Sequence, residues 1–321
     1  MMRTPAGFFF VLMKVNFVEF SKCPKGIPDQ ITLLKSRGMT FANEKRAHRV
    51  LSHVNYYRLR AYWLPFETTE QFQTAESSHS FRTETQFDAV YSLYVFDRSL
   101  RVLLLEAIER VEIALRTHWT KVLAEKYGAH AYLKEDIFYK AHIHENCIAS
   151  LDEELHRSKE TFVKHYQSKY TKPSRPPIWA VAELLTLGGL SKWIENVNKR
   201  QDRQAIASNF QLDEVVVRAF AHHLTHIRNI CAHHGRVWNR KFTLIMTLPK
   251  RPQNLSDQFN RDKVEERKIY NTLVMLSWCI RVINPQTTWP QRVKDLLVTR
   301  SDIDLKAMGV VEGWLNIDPF R

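Results

Sequence analysis

Histidine and arginine are concentrated in one short segment, residues 222–240, which reads HHLTHIRNICAHHGRVWNR. Histidine can accept and donate protons near neutral pH, and arginine binds phosphate oxygens through a rigid, permanently charged guanidinium. Breaking an RNA phosphodiester with its own 2′-hydroxyl needs a base, an acid and positive charge on the phosphate. The residue types of this segment therefore predict RNA cleavage without a metal.

The spacing of these polar residues predicts that they share one face of a helix. At about 100° per residue, steps of four, three, four and three align His222, His226, Asn229, His233 and Arg236. Arg240 extends this stripe if the helix continues past Gly235, and Arg228 flanks it. His223 and His234 point to the other side, closer to the apolar residues.

The composition predicts a basic, helical protein. The chain has 321 residues, of which 47 are Lys or Arg and 34 are Asp or Glu, so its formal net charge is +13. That excess favours a polyanionic partner, with nucleic acid ahead of an anionic membrane surface. Only 9 glycines and a hydrophobic share of 44% favour a helical globular fold over a β-rich or disordered chain.

The four cysteines lie far apart and form no CxxC pair, which argues against a disulfide framework or a cysteine zinc site and favours a reducing cytoplasm. No stretch reaches the roughly 18 apolar residues that a membrane span needs. The apolar run at residues 8–13 is short for a signal peptide. We expect translation to begin at Met13, and we treat residues 1–26 as an N-terminal extension.

Apolar residues recur at steps of three and four along much of the chain, whereas no run alternates long enough to indicate a sheet. We predict a helical hairpin over 27–66, in which Asn43 caps the second helix and Pro65 ends it. Asp213 marks the start of the helix with the histidines, and Gly188-Gly189 separates two helices. The other predicted elements are a loop at 67–84 and helices at 85–127, 143–170, about 212–240 and 264–283.

Several blocks of the chain resemble a known family. The string RNICAH at 228–233 matches the arginine–polar–x3–histidine pattern of HEPN ribonucleases, and RNICAHHGRVWNR resembles the C-terminal signature of the Abi-like (abortive infection) family. Further similar blocks, in the same order as in that family, are QITLLKSRGM, NYYRLRAYWLPF, YVFDRSLRVLLLEAIERVEIALR, YNTLVMLSWCIRVINP and MGVVEGW. The resemblance covers about residues 28–320.

The resemblance implies a fold and an activity. The fold is an all-α, HEPN-like helical bundle with an N-terminal helical hairpin and a C-terminal helical extension, over residues 27–321. The activity is metal-independent endoribonuclease cleavage to 2′,3′-cyclic phosphate ends, without a cofactor, in phage defence or as a toxin. The implied partners are RNA as substrate, a structured non-coding RNA, a second copy of the chain in a homodimer, and an antitoxin.

Carried over residue by residue, Arg228 and His233 match the catalytic pair and Asn229 matches the polar position that orients them. His234 is an alternative to His233, because the pattern allows four to six intervening residues. We favour His233, since it shares a helical face with Asn229.

The remaining candidates have two readings each. One group could hold the RNA backbone, and its members are His226, Arg236, Asn239 and Arg240. In the alternative, Trp238 docks the helix end and the arginines pair with acids of the central helix. Glu109, Glu112 and Arg116 either support the site as a buried network or form a solvated face.

Two other functions remain open at this point. His222 and His226 could bind a metal, but no HExxH-type glutamate lies between them, and we predict no metal site. The main rival function is a protein that binds a structured RNA without cleaving it. The other rival is a metal-dependent or nucleotide-transferring enzyme.

Overall fold

The computed structural model describes residues 23–68, 80–300, 302–317 and 319–320. The expected start at Met13 and most of the predicted extension lie outside them. The described residues form fourteen α-helices and no strand, and their β-pairing is limited to three isolated bridges. The predicted all-α class is confirmed. Among the described helices, none combines the length and apolar character that crossing a membrane requires.

The helices are α1 (Ile27–Ser36), α2 (Glu44–His53), α3 (Tyr56–Trp63), α4 (Phe87–Tyr127), α5 (Ala141–Arg157), α6 (Thr161–Lys169), α7 (Ile178–Leu184), α8 (Leu187–Glu195), α9 (Arg200–Ser208), α10 (Glu214–Ala232), α11 (Gln253–Ser256), α12 (Ile269–Ile283), α13 (Trp289–Val298) and α14 (Trp314–Ile317). They belong to two compact units, one ending at Val90 and the other beginning at Tyr91.

The first unit contains the predicted hairpin, in which α1 packs against α2. Asn43 caps α2 by accepting a hydrogen bond from the Arg46 N–H at 2.9 Å, as predicted. The prediction that the second helix runs without a break was wrong, because Asn55 starts a separate helix, α3. Its side chain accepts from the Tyr57 N–H at 2.7 Å.

The longest helix, α4, follows the predicted range 85–127 closely and ends before Gly128, whose φ is 93°. In the second unit, Leu100, Leu104 and Ile108 are buried along one side of it. Helix α13 docks on α4 through the Trp289 Nε1–H, which donates to the Leu103 carbonyl at 2.8 Å. Helix α12 is mostly apolar and is buried at every residue from Ile269 to Ser277, as expected for an interior helix.

Three predicted boundaries were wrong in this unit. The range 143–170 holds two helices, α5 and α6, because the backbone is extended at Ser158 and Glu160. The break predicted at Gly188-Gly189 lies at 185–186, because Thr186 caps α8 by accepting from the Gly189 N–H at 3.1 Å. The last long helix begins at Ile269, after a short 3-10 turn at Glu265–Arg267.

Candidate active site at the end of α10

Helix α10 carries the histidines and arginines singled out in the sequence. It begins after Asp213, whose carboxylate accepts from the Val215 N–H at 2.9 Å, as predicted. Val216, Phe220, Leu224 and Ile227 form its buried side, and it packs against α8 and α9. The opposite side is open to solvent and carries the candidate residues.

The predicted extension of this helix to about residue 240 was wrong. The helix ends at Ala232, His233 is its C-cap, and the backbone of His234 is left-handed with a φ of 58°. The His234 N–H donates to the Cys231 carbonyl at 3.0 Å, and the Gly235 N–H donates to the Ile230 carbonyl at 2.7 Å. This pair of bonds is a Schellman motif, which satisfies the last carbonyls and turns the chain away from the helix axis.

Gly235 is required by the close approach within this turn. A Cβ at this position would lie 3.0 Å from Ile230 Cγ2 and 3.2 Å from the Ile230 carbonyl oxygen. The left-handed position before it is usually a glycine, and here it is His234. Consequently Arg236 and Arg240 leave the helical stripe in which the sequence placed them.

Three catalytic candidates lie together on the exposed end of the helix. Arg228, Asn229 and His233 are all exposed. Asn229 is linked to both others: its Oδ1 accepts from Arg228 Nη1 at 3.3 Å, and its carbonyl accepts from the His233 N–H at 3.0 Å. The fourth candidate, His234, is also exposed but belongs to the turn.

The segment that follows α10 is held by α4. Asp97 is fully buried and accepts hydrogen bonds from the backbone N–H groups of Val237 at 3.1 Å and Trp238 at 2.7 Å. It also forms a buried ion pair with Arg101, whose Nη1 lies 3.5 Å from the Gly235 carbonyl. Sequence reasoning missed Asp97, although two opposite charges four residues apart within an apolar helical stripe are a usable signal for such a pair.

The RNA-binding candidates beyond the helix are braced by the main chain. Trp238 is buried and its Nε1–H donates to the Asp304 carbonyl at 3.2 Å, so it docks this segment. Arg236 Nη2 donates to the Asn239 carbonyl at 3.3 Å, and Arg240 Nη1 donates to the Arg236 carbonyl at 3.4 Å.

His223 is a core residue with a fixed tautomer. Its Nδ1 lies 2.7 Å from the Leu244 carbonyl, which can only accept, so Nδ1 is the protonated nitrogen. Its Nε2 then accepts from the Thr272 hydroxyl at 2.8 Å. Burial lowers the pKa of His223 to about 4, and the ring is neutral at physiological pH.

His226 lies beside the basic residues at the edge of the site. Burial lowers the pKa of this half-buried histidine, and the positive charges of Arg240 and His222 lower it further. The structure therefore brings Arg240 near His226 although the helix ends between them. In the described ranges no group of three or more His, Cys, Asp or Glu side chains is arranged to hold a metal ion.

Of the supporting candidates on α4, Arg116 is the residue with contacts to other elements among the described residues. Arg116 Nη2 donates to Glu112 Oε1 at 2.5 Å and to the Leu185 carbonyl at 2.7 Å, and its Nη1 lies 3.5 Å from Glu183. Glu109 is exposed. These contacts join α4 to α7 and to the connection between α7 and α8.

The geometry supplies most of what phosphodiester cleavage needs. Within about one helical turn it exposes an imidazole that can transfer a proton, a guanidinium that can bind phosphate oxygens, and an amide that accepts a hydrogen bond from the guanidinium. One copy of this helix end supplies a single exposed C-cap imidazole, while the reaction needs both a base and an acid.

Comparison with known proteins gives one match. The family model described as Abi-like protein matches residues 49–239, more than half of the chain, and this range includes Arg228, Asn229 and His233. The predicted resemblance to this family is confirmed over that range. No curated protein and no solved structure matches the chain.

Proposed function

Because the chain belongs to the Abi-like protein family, we propose that it is a metal-independent endoribonuclease of the HEPN type, acting in phage defence by abortive infection or as a toxin. The observation that carries the proposal is the exposure of Arg228, Asn229 and His233 together at the end of α10, where Arg228 donates a hydrogen bond to the Asn229 side chain. The net charge of +13 supports a polyanionic substrate.

In the proposed reaction the 2′-oxygen of RNA attacks the adjacent phosphorus and the bond from phosphorus to the 5′-oxygen breaks. The products are a 2′,3′-cyclic phosphate and a 5′-hydroxyl. His233 acts as the general base or acid, and Arg228 neutralises the charge that develops on the non-bridging oxygens. Asn229 holds the guanidinium of Arg228 through its side-chain oxygen.

A homodimer would complete the proton transfer. Two α10 ends facing each other across a two-fold axis would supply one His233 as base and the other as acid. His226, Arg236, Asn239 and Arg240 would contact the RNA backbone beside them. A structured non-coding RNA and an antitoxin are further proposed partners, and the proposed location is the cytoplasm.

The test is incubation of the purified protein with total cellular RNA in EDTA, with the fragment ends mapped. We expect 2′,3′-cyclic phosphate ends, and a loss of cleavage of at least about 100-fold in Arg228→Ala/His233→Ala, because general acid–base catalysis contributes about that much or more. The matched control is Arg157→Ala/His142→Ala, which removes one exposed arginine and one exposed histidine from α5. The separate variants His233→Ala and His234→Ala assign the catalytic histidine.

Other outcomes would favour the rival functions. Full-length RNA that is retarded in a gel by both the native protein and the double variant would indicate a protein that binds a structured RNA without cleaving it. Cleavage that EDTA abolishes would indicate a metal-dependent enzyme. Equal cleavage by the native protein and the double variant would contradict the assignment of the site.

A further inference from the structure

A cleft lined by aromatic side chains lies between α6 and the start of α7, apart from the residues proposed for catalysis. Its volume is about 660 Å³, within the roughly 300–1,000 Å³ of small-molecule sites. We call it the aromatic cleft. The lining residues that matter here are Phe162, Tyr166, Tyr170, Lys172 and Trp179.

The rings of the aromatic cleft are unusually exposed. Trp179 is 54% exposed and Tyr170 is 46% exposed, although large aromatic rings normally contribute to burial. Tyr166 and Tyr170 pack with their centroids 5.0 Å apart. No ring contact to Trp179 is found among the described residues, and about half of its surface is open to solvent.

The cleft is held in one shape. The Tyr166 hydroxyl donates to the Pro173 carbonyl at 2.8 Å. Arg175 in the same connection forms two hydrogen bonds with the Asp152 carboxylate, at 2.7 and 2.8 Å. A preformed cleft binds a ligand without first ordering its own side chains.

The rim of the cleft carries positive charge. Lys172 lines the cleft, and the exposed Lys169 has its Nζ 5.4 Å from the centroid of the Tyr170 ring. Glu183 also lines the cleft, but its carboxylate lies 3.5 Å from Arg116 Nη1 and is partly neutralised there. Lysines beside exposed rings match the phosphates and bases of a single nucleic-acid strand.

We infer that the aromatic cleft binds single-stranded RNA, with an unpaired base stacked on Trp179 and Tyr170 and the lysines contacting phosphates. Stacking requires a base that is not paired in a duplex, so the cleft selects single-stranded segments. A proline-rich peptide also docks on aromatic rings, but it leaves the lysines without a role. The inference rests on the proposed function in that RNA is the ligand of both sites.

The experiment measures the binding of a short fluorescein-labelled oligouridylate by fluorescence anisotropy. All proteins carry Arg228→Ala/His233→Ala, so that the probe stays intact. We expect Trp179→Ala to weaken binding roughly 5- to 150-fold, the range that loss of one base–aromatic stack produces. Tyr170→Ala should weaken it too, and Trp179→Phe should retain most of the affinity.

The matched control is Tyr139→Ala. Tyr139 is 71% exposed and has Lys140 Nζ 5.8 Å from its ring centroid, but it lies outside the aromatic cleft. This variant should bind the probe like its parent. Lys172→Gln should reduce the dependence of affinity on salt, because one phosphate contact is lost.

Unchanged affinity in both Trp179→Ala and Tyr170→Ala would overturn the inference. A preference for double-stranded RNA of the same length would also overturn it, and so would displacement of the probe by a proline-rich peptide. The outcome is separable from the proposed function. Binding that depends on Trp179 stands even if the native protein never cleaves RNA, and cleavage that depends on Arg228 and His233 stands even if Trp179 proves irrelevant.

Discussion

At the scale of single residues, the candidate site depends on Asp97, which never faces the solvent. This carboxylate joins α4 to the turn after α10 and is neutralised by Arg101 within the same helix. A buried ion pair contributes little net stability when it forms, but removing one partner leaves an uncompensated buried charge. The pair is therefore a positioning device for residues 235–238.

We expect Asp97→Ala to lower the free energy of unfolding by about 3–5 kcal/mol, because Arg101 and two backbone N–H groups lose their partner. Urea denaturation of this variant and of Asp97→Ala/Arg101→Leu measures the effect, and the double variant should recover part of the loss. Glu154→Ala, which removes an exposed pair with Arg157, should cost less than about 1 kcal/mol. Equal losses in the buried and exposed pairs would contradict this account.

At the scale of elements, α10 is tied to the segment before α11 and to α12 by one neutral imidazole. The Nδ1–H of His223 reaches the Leu244 carbonyl and its Nε2 reaches Thr272 on α12. Protonation of this ring would place a charge in the core among three elements. Its depressed pKa therefore makes the packing of α10 sensitive to acid.

We expect the protein to lose stability as the pH falls from about 6.5 towards 4. Above this window His223 is neutral in both the folded and the unfolded chain. Within it the unfolded chain binds a proton that the folded chain, with a His223 pKa of about 4, does not. Titration of this residue therefore changes the free energy of unfolding by at most about 1.4 kcal/mol per pH unit.

Urea denaturation at pH 7.5 and pH 5 checks this expectation. His223→Gln keeps one donor and one acceptor but cannot titrate, so its stability should fall less between the two pH values. The pKa values of His118 and His226 are also lowered. These two histidines also lower the stability in acid, but they do so in the native protein and in the variant alike, so the difference between the two proteins reports on His223. Identical slopes for the native protein and the variant would assign the acid sensitivity to other groups.

The sequence predicted helix boundaries well where neighbouring residues determine them. The caps at Asn43 and Asp213 and the extent of α4 follow from neighbouring residues. The end of α10 was mispredicted because its turn places His234, rather than glycine, in the left-handed position. The anchor of that turn, Asp97, lies 140 residues away from Val237.

The part of the candidate site that lies on one helix could be predicted from the sequence, and the tertiary contacts that hold it could not. Asn229 and His233 are four residues apart at the end of one helix, so their shared face follows from helical spacing, and Arg228 flanks that face. The anchoring by Asp97 depends on a tertiary contact. The aromatic cleft was missed because the proline-rich connection between Tyr170 and Trp179 leaves no local signal that the two rings lie close together.

At the scale of the whole molecule, we propose that two copies of the chain share the chemistry. The described chain offers one exposed C-cap imidazole at the end of α10, and the reaction requires a proton acceptor and a proton donor. Two-fold dimers are the commonest assembly that brings the same surface of two copies together. A composite site has a kinetic signature that a site within one copy lacks.

We expect mixtures of native protein and Arg228→Ala/His233→Ala, exchanged through unfolding and refolding, to lose cleavage as the square of the native fraction. Only a dimer of two native copies retains both histidines and both arginines. The matched control mixes native protein with Arg157→Ala/His142→Ala and should keep full activity. A loss that is linear in the native fraction would show that each copy cleaves RNA alone. A monomeric mass in sedimentation equilibrium would support the same conclusion.

The second anchor of the turn after α10 bears on how the protein is made. Trp238 is fixed by the carbonyl of Asp304, which lies 66 residues further along the chain. During synthesis the motif leaves the ribosome well before this carbonyl exists, and domains complete their packing only when their last elements are available. A nascent chain therefore carries all the proposed catalytic residues while the turn beside them still lacks its second anchor. For a protein proposed to cut RNA, this order of assembly delays the finished site until the ribosome has moved at least 66 residues beyond Trp238.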